Sequence, residues 1–146
     1  MPTTRVNRTI AVPRDDLWPM LADPHHLPRW WPAVERVENV SRDHFTEVLR
    51  SKRGRAVRAD FRVEASRKPE LRSWRQQVEG TPFERVLRDS LVEVRLEPDG
   101  EGATRVTIEQ QAKMRGVSRL GGYLVRRATK RLLREALDGL EALHGP

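Results

Sequence analysis

Hydrophobic positions in this chain recur with two periods, and the period changes mark the elements. Val6, Ile10 and Val12 share one parity, as residues on one face of a strand do. Pro13 stands where a helix can begin, and Asp15 and Asp16 suit the positive end of that helix. Leu17, Trp18 and Leu21 lie on one side of it, with Trp18 a core residue. It stops near Asp23-Pro24, because the residue before a proline avoids helical backbone. His25 to Pro32 is turn-rich and holds Trp30 and Trp31 side by side. From Val34 to Met114 the pattern predicts strands at Val34–Val40, His44–Ser51, Ala56–Ala65, Ser73–Glu79, Arg85–Leu96 and Thr104–Met114. The breaks carry turn residues, among them Arg53-Gly54, Lys68-Pro69, Gly80-Thr81-Pro82 and Pro98-Asp99-Gly100. Breaks this short join neighbouring strands into an antiparallel meander.

Alternation says which face turns inward. Val57, Ala59, Phe61, Val63 and Ala65 oppose Arg58, Asp60, Arg62 and Glu64. Val106, Ile108, Gln110, Ala112 and Met114 oppose Arg105, Thr107, Glu109 and Lys113. One face is dry and the other wet, so the sheet is covered on one side only. Polar residues enter the dry face at few places. Arg88 and Ser90 share the face of Val86, Val92, Val94 and Leu96; Gln110 lies among apolar neighbours; Gln76 lies between Trp74 and Val78. The acidic residues mostly alternate outward.

The C-terminal segment supplies the cover. Ser118 is placed to cap a helix. Leu120, Leu124, Ala128, Leu132, Ala136, Leu140 and Leu143 follow at steps of three or four, with Leu133 and Leu137 beside them. About 26 helical residues reach nearly 40 Å, enough to cross a sheet. Gly121-Gly122 near its start lets the helix tilt or approach the sheet closely. The expected order is a strand, two short helices, six strands and a long helix, all in one domain spanning residues 1–146.

Composition adds limits. The 146 residues are 37% hydrophobic and 34% charged, with four Trp and three Phe as apolar anchors, so the chain folds around one core. No apolar run approaches a membrane span, and Met1 to Arg8 is too polar for a signal peptide, which reads as cytoplasmic. Without cysteine there is neither disulfide nor thiolate chemistry. The net charge of +7 is almost all arginine, a bias that GC-rich bacterial coding produces and that an anionic partner also explains. Arg126, Lys130 and Arg134 form one row on the long helix and Arg127 and Arg131 the next. A solvated face with Arg131–Glu135 and Arg134–Asp138 pairs is the expectation there; an anion-binding surface is the alternative.

Three stretches resemble a known family. Ile10 to Pro32, IAVPRDDLWPMLADPHHLPRWWP, has a proline after the first strand, a tryptophan in the first helix and an L-x-D-P turn leading to W-x-P. Arg72 to Pro98 is similar to that family's long central hairpin, and Gly102 to Gln110 to its last strand. The chain resembles the START-like (SRPBCC) superfamily, in its bacterial polyketide cyclase/dehydrase and lipid-transport branch. The resemblance implies an α+β helix-grip fold, with a curved antiparallel sheet of about seven strands around a long C-terminal helix. It does not choose among transport, cyclisation, hydrolysis and ribosome association.

No metal ligand set, phosphate loop, dinucleotide fingerprint or nucleophile elbow is present, and no cofactor is expected; His25 and His26 read as a solvated turn. The leading expectation is a cavity between the sheet and the long helix that binds a small apolar or amphipathic molecule with an acidic or phenolic end. Its candidate residues are Trp30, Trp31, Phe61, Trp74, Gln76, Arg88, Ser90, Val92, Ile108, Gln110, Met114 and Leu124. Trp30 and Trp31 would gate it, and Arg88 would pair the anion. The alternatives are a polyketide cyclase or dehydratase, and an RNA- or ribosome-surface binder using the basic helix. Against nucleic acid, no aromatics interleave with that basic row. A monomer or homodimer is expected.

Overall fold

A proline and an aspartate bracket the first helix, as the turn chemistry predicts. In the computed structural model, which describes residues 3–51, 53–116 and 118–144, strand β1 (Thr3–Ile10) leads through extended Pro13 into helix α1 (Arg14–Ala22). Asp15 and Asp16 lie in its first turn. Asp23 ends it and accepts a hydrogen bond from the His25 N–H at 3.0 Å, starting a 3₁₀ turn at Pro24–His26 that runs into α2 (Leu27–Trp30). Six strands follow: β2 (Val34–Glu38), β3 (His44–Arg50), β4 (Ala56–Arg67), β5 (Leu71–Gln76), β6 (Leu87–Pro98) and β7 (Thr104–Met114). Helix α3 (Arg119–Ala142) closes the fold, capped by the Ser118 hydroxyl, which accepts from the Gly121 N–H at 3.0 Å. Met1 and Pro2, part of the polar N-terminal stretch, lie outside the described residues.

The sheet is antiparallel, in the order β1-β7-β6-β5-β4-β3-β2. The meander from β2 to β7 brings β7 beside β1. Bulges between Val34 and Arg36, Val63 and Ala65, and Leu87 and Asp89 bend it. The inner face carries Val6 and Ile10, Phe45, Ala59 and Phe61, Trp74, Val92, Val94 and Leu96, and Val106 and Ile108, all buried against Leu17, Trp18 and α3. Asp60 stays on the outer face, where Thr46 donates to it.

Three expectations are corrected. The strand expected from Arg85 starts at Leu87; Pro82–Arg85 form a 3₁₀ turn, and Val86 beyond it is 52% exposed. The apolar stripe predicted on α3 holds only over its second half. Its buried residues are Leu133, Ala136, Leu137 and Leu140, while Leu120, Leu124, Ala128 and Leu143 are exposed. The reason is arithmetic: four-residue steps drift by about 40° each, so five of them carry Leu120 roughly 200° away from Leu140. Third, Asp138 does not pair with Arg134. It meets Arg8 of β1 at 2.6 Å, and Glu141 meets the same guanidinium at 3.3 Å. Among the described residues Arg131 and Glu135 form no ion pair either. Arg8 thus ties the C-terminal half of α3 to β1.

Candidate functional site

Because only its C-terminal half is buried, α3 leaves room under its first half. A pocket of about 880 Å³ opens there, bounded by the inner face at the ends of β1, β6 and β7. Thr4, Gln110, Ala112 and Met114 form its floor, and Gly122, Val125 and Thr129 its roof. Arg88, Lys113, Arg119 and Arg126 surround it. No acidic residue lines it, and none of the four cations makes an ion pair among the described residues. The pocket therefore combines an apolar interior with an uncompensated positive rim.

A polar row leads inward from it. The Gln110 side-chain amide donates to the hydroxyl of buried Ser90 at 3.3 Å. The β5–β6 register, in which Trp74 meets Val92 and Arg75 meets Leu91, sets Gln76 beside Ser90. Gln76 has a buried Nε2 with no hydrogen-bond partner. Two residues were missed by sequence reasoning. Glu47 of β3 lies between Val37 and Ala59, both against the core, and is 3% exposed. It is the exception to the expectation that acids mostly point outward. Its Oε2 has no partner, and burial pushes its carboxyl up to about 8, so it holds its proton at neutral pH. Phe45 and Leu49 share its parity, but Thr46 and Val48 between them are buried too, so no alternation marks it. Arg72, also buried, donates to the Ser66 hydroxyl at 2.9 Å.

The predicted site residues divide. Arg88, Gln110 and Met114 come together at the pocket, with Ser90 and Gln76 behind them. Phe61, Trp74, Val92 and Ile108 are buried in the core and do not line it. Trp30 and Trp31 do not stand at its mouth. Both are buried, Trp30 donates its indole N–H to the Met20 carbonyl at 3.1 Å, and Trp31 packs edge-on to Trp74 at 5.8 Å. Phe45 stacks on Phe61 with ring centroids 5.3 Å apart. Leu124 is 52% exposed and faces away. His25 and His26 both turn to Asp23, and among the described residues no three His, Asp or Glu side chains converge as metal ligands would.

A family model described as polyketide cyclase / dehydrase and lipid transport matches residues 1–145. The chain belongs to that family. Solved structures share the architecture of this polyketide cyclase/dehydrase and lipid-transport member. A START superfamily protein from Mycobacterium smegmatis is 12% identical, with 96% of this chain and 94% of that one covered at a TM-score of 0.78. A protein from Thermus thermophilus is 22% identical, with 97% and 95% covered at 0.74. The di-domain ARO/CYC BexL of the BE-7585A biosynthetic pathway is 19% identical, with 100% of this chain but 48% of BexL covered at 0.79. At these identities the likeness is one of fold. Comparison with curated proteins finds no match. No helix among the described residues is long and apolar enough to cross a membrane.

Proposed function

We propose that this protein binds a small, mostly apolar molecule with an anionic end, its apolar part between the sheet and α3 and its anion at the rim. One observation carries this: the pocket under α3 has four cations, no acid, and apolar walls from Ala112, Met114 and Val125. Its volume of about 880 Å³ suits a small-molecule site. Arg88 is exposed at the rim, where a guanidinium can grip a carboxylate or phenolate with two hydrogen bonds. Gln110, Ser90 and Gln76 would orient polar groups deeper in. Native mass spectrometry of the protein purified from its own host tests the reading. A retained small molecule that leaves on denaturation is expected; a pocket always found empty would oppose it.

A second reading rests on Glu47, the one buried acid among the described residues. A carboxyl that keeps its proton at neutral pH can donate it to a carbonyl, as cyclisation or dehydration of a polyketide-like substrate requires. BexL, an ARO/CYC, has the same fold. On this reading Glu47→Gln binds substrate but does not turn it over. Unchanged turnover would remove Glu47 from catalysis.

A further inference from the structure

Six large apolar side chains are exposed among the described residues, and three of them sit within two turns of α3: Leu120 at 69%, Tyr123 at 54% and Leu124 at 52%. At about 100° per residue, Leu120, Leu124, Arg127, Arg131 and Arg134 fall within roughly 80° of one another, facing away from the sheet, with Tyr123 and Lys130 on one flank. The helix has no acidic residue before Glu135. None of Arg119, Arg126, Arg127, Lys130, Arg131 and Arg134 has an ion-pair partner among the described residues. A shallow cleft lined by Thr3, Arg5, Tyr123, Arg127 and Lys130 runs along the flank. The segment is thus amphipathic twice over, with one face over the pocket and the other both apolar and basic.

Three kinds of occupant could cover the outer face. A nucleic acid would match the arginines and leave Leu120 and Leu124 in water. A second copy would bring a like-charged face against this one, which repels. The lipid–water boundary of an anionic bilayer satisfies both halves, since an amphipathic helix lies in that plane with its apolar side chains in the acyl boundary and its basic ones among headgroups. Tyr123, apolar ring and polar tip, suits that depth. We propose that the outer face of α3 docks on anionic membranes, with Leu120, Tyr123 and Leu124 entering the boundary and Arg127, Lys130, Arg131 and Arg134 meeting lipid headgroups. Docking needs no occupant in the pocket, so it stands or falls apart from the ligand reading.

The test is co-sedimentation with vesicles of phosphatidylcholine alone and with roughly one-third phosphatidylserine. Binding to the anionic vesicles only, weakening at high salt, is expected. Arg127→Gln with Arg131→Gln should weaken it about thirtyfold, the effect of two basic residues at a headgroup surface. Leu120→Ser with Leu124→Ser should reduce it strongly at unchanged charge. No binding to anionic vesicles overturns the proposal, and so does binding that the serine variant leaves intact. Binding to an RNA oligonucleotide in place of vesicles, lost only in the glutamine variant, assigns the face to nucleic acid. A dimer in sedimentation that the serine variant dissolves assigns it to a second copy.

Discussion

A Cβ built on Gly139 of α3 would lie 2.6 Å from the carbonyl oxygen of Trp30 and 2.9 Å from its Cα. The helix and the end of α2 touch backbone to backbone, and only glycine permits it. This contact and the Arg8 pairs with Asp138 and Glu141 hold the second half of α3 down, so the first half is free to roof a pocket.

Gly139→Ala should therefore destabilise the fold, although alanine favours helix. The new methyl meets backbone, which cannot rotate away, and overpacking of this kind costs about 1–3 kcal/mol. Chemical denaturation checks it. A variant as stable as the parent would show that α3 shifts freely on α2.

Glu47 makes stability depend on pH. Its folded value of about 8 lies above the ordinary 4.5, so folding favours the protonated form. Below 4.5 both states hold the proton and the group costs nothing extra. As pH rises toward 8 the unfolded chain ionises first, and stability falls by up to about 1.4 kcal/mol per unit. Glu47→Gln should remove this slope, and should melt higher than the parent at pH 8 with little difference near pH 4.5. Parallel melting curves across that range would contradict the buried, protonated carboxyl.

Arg88→Met should leave stability within about 0.5 kcal/mol, because the guanidinium is exposed and makes no ion pair among the described residues. Strong destabilisation in thermal melting would point to an internal partner.

Much of this architecture was legible because its signals are local. Val106, Ile108, Gln110, Ala112 and Met114 alternate cleanly, Ser118 caps where it should, and Asp23-Pro24 stops α1. Other features were not, for physical reasons. Phe45, Thr46, Glu47 and Val48 are all buried, so β3 shows no period, and only pairing with Val37 and Ala59 reveals where Glu47 points. Leucines at four-residue steps look like one stripe on paper but wind around a helix with 3.6 residues per turn. The site was half visible. Arg88, Gln110 and Met114 could be read from parity, whereas Phe61, Trp74, Val92 and Ile108, read the same way, are buried in the core and absent from the pocket lining. Parity gives the face, and only the seating of α3 decides which part of that face stays open.

The pocket is proposed to take an apolar molecule by its anionic end. Isothermal titration of the protein and of Arg88→Met with a fatty carboxylate and with its methyl ester tests this most directly. The parent should prefer the carboxylate, and the methionine variant should lose about 1.5–3 kcal/mol for it but little for the ester. Equal affinity of the parent for both ligands, or an equal loss for both in the variant, would contradict it.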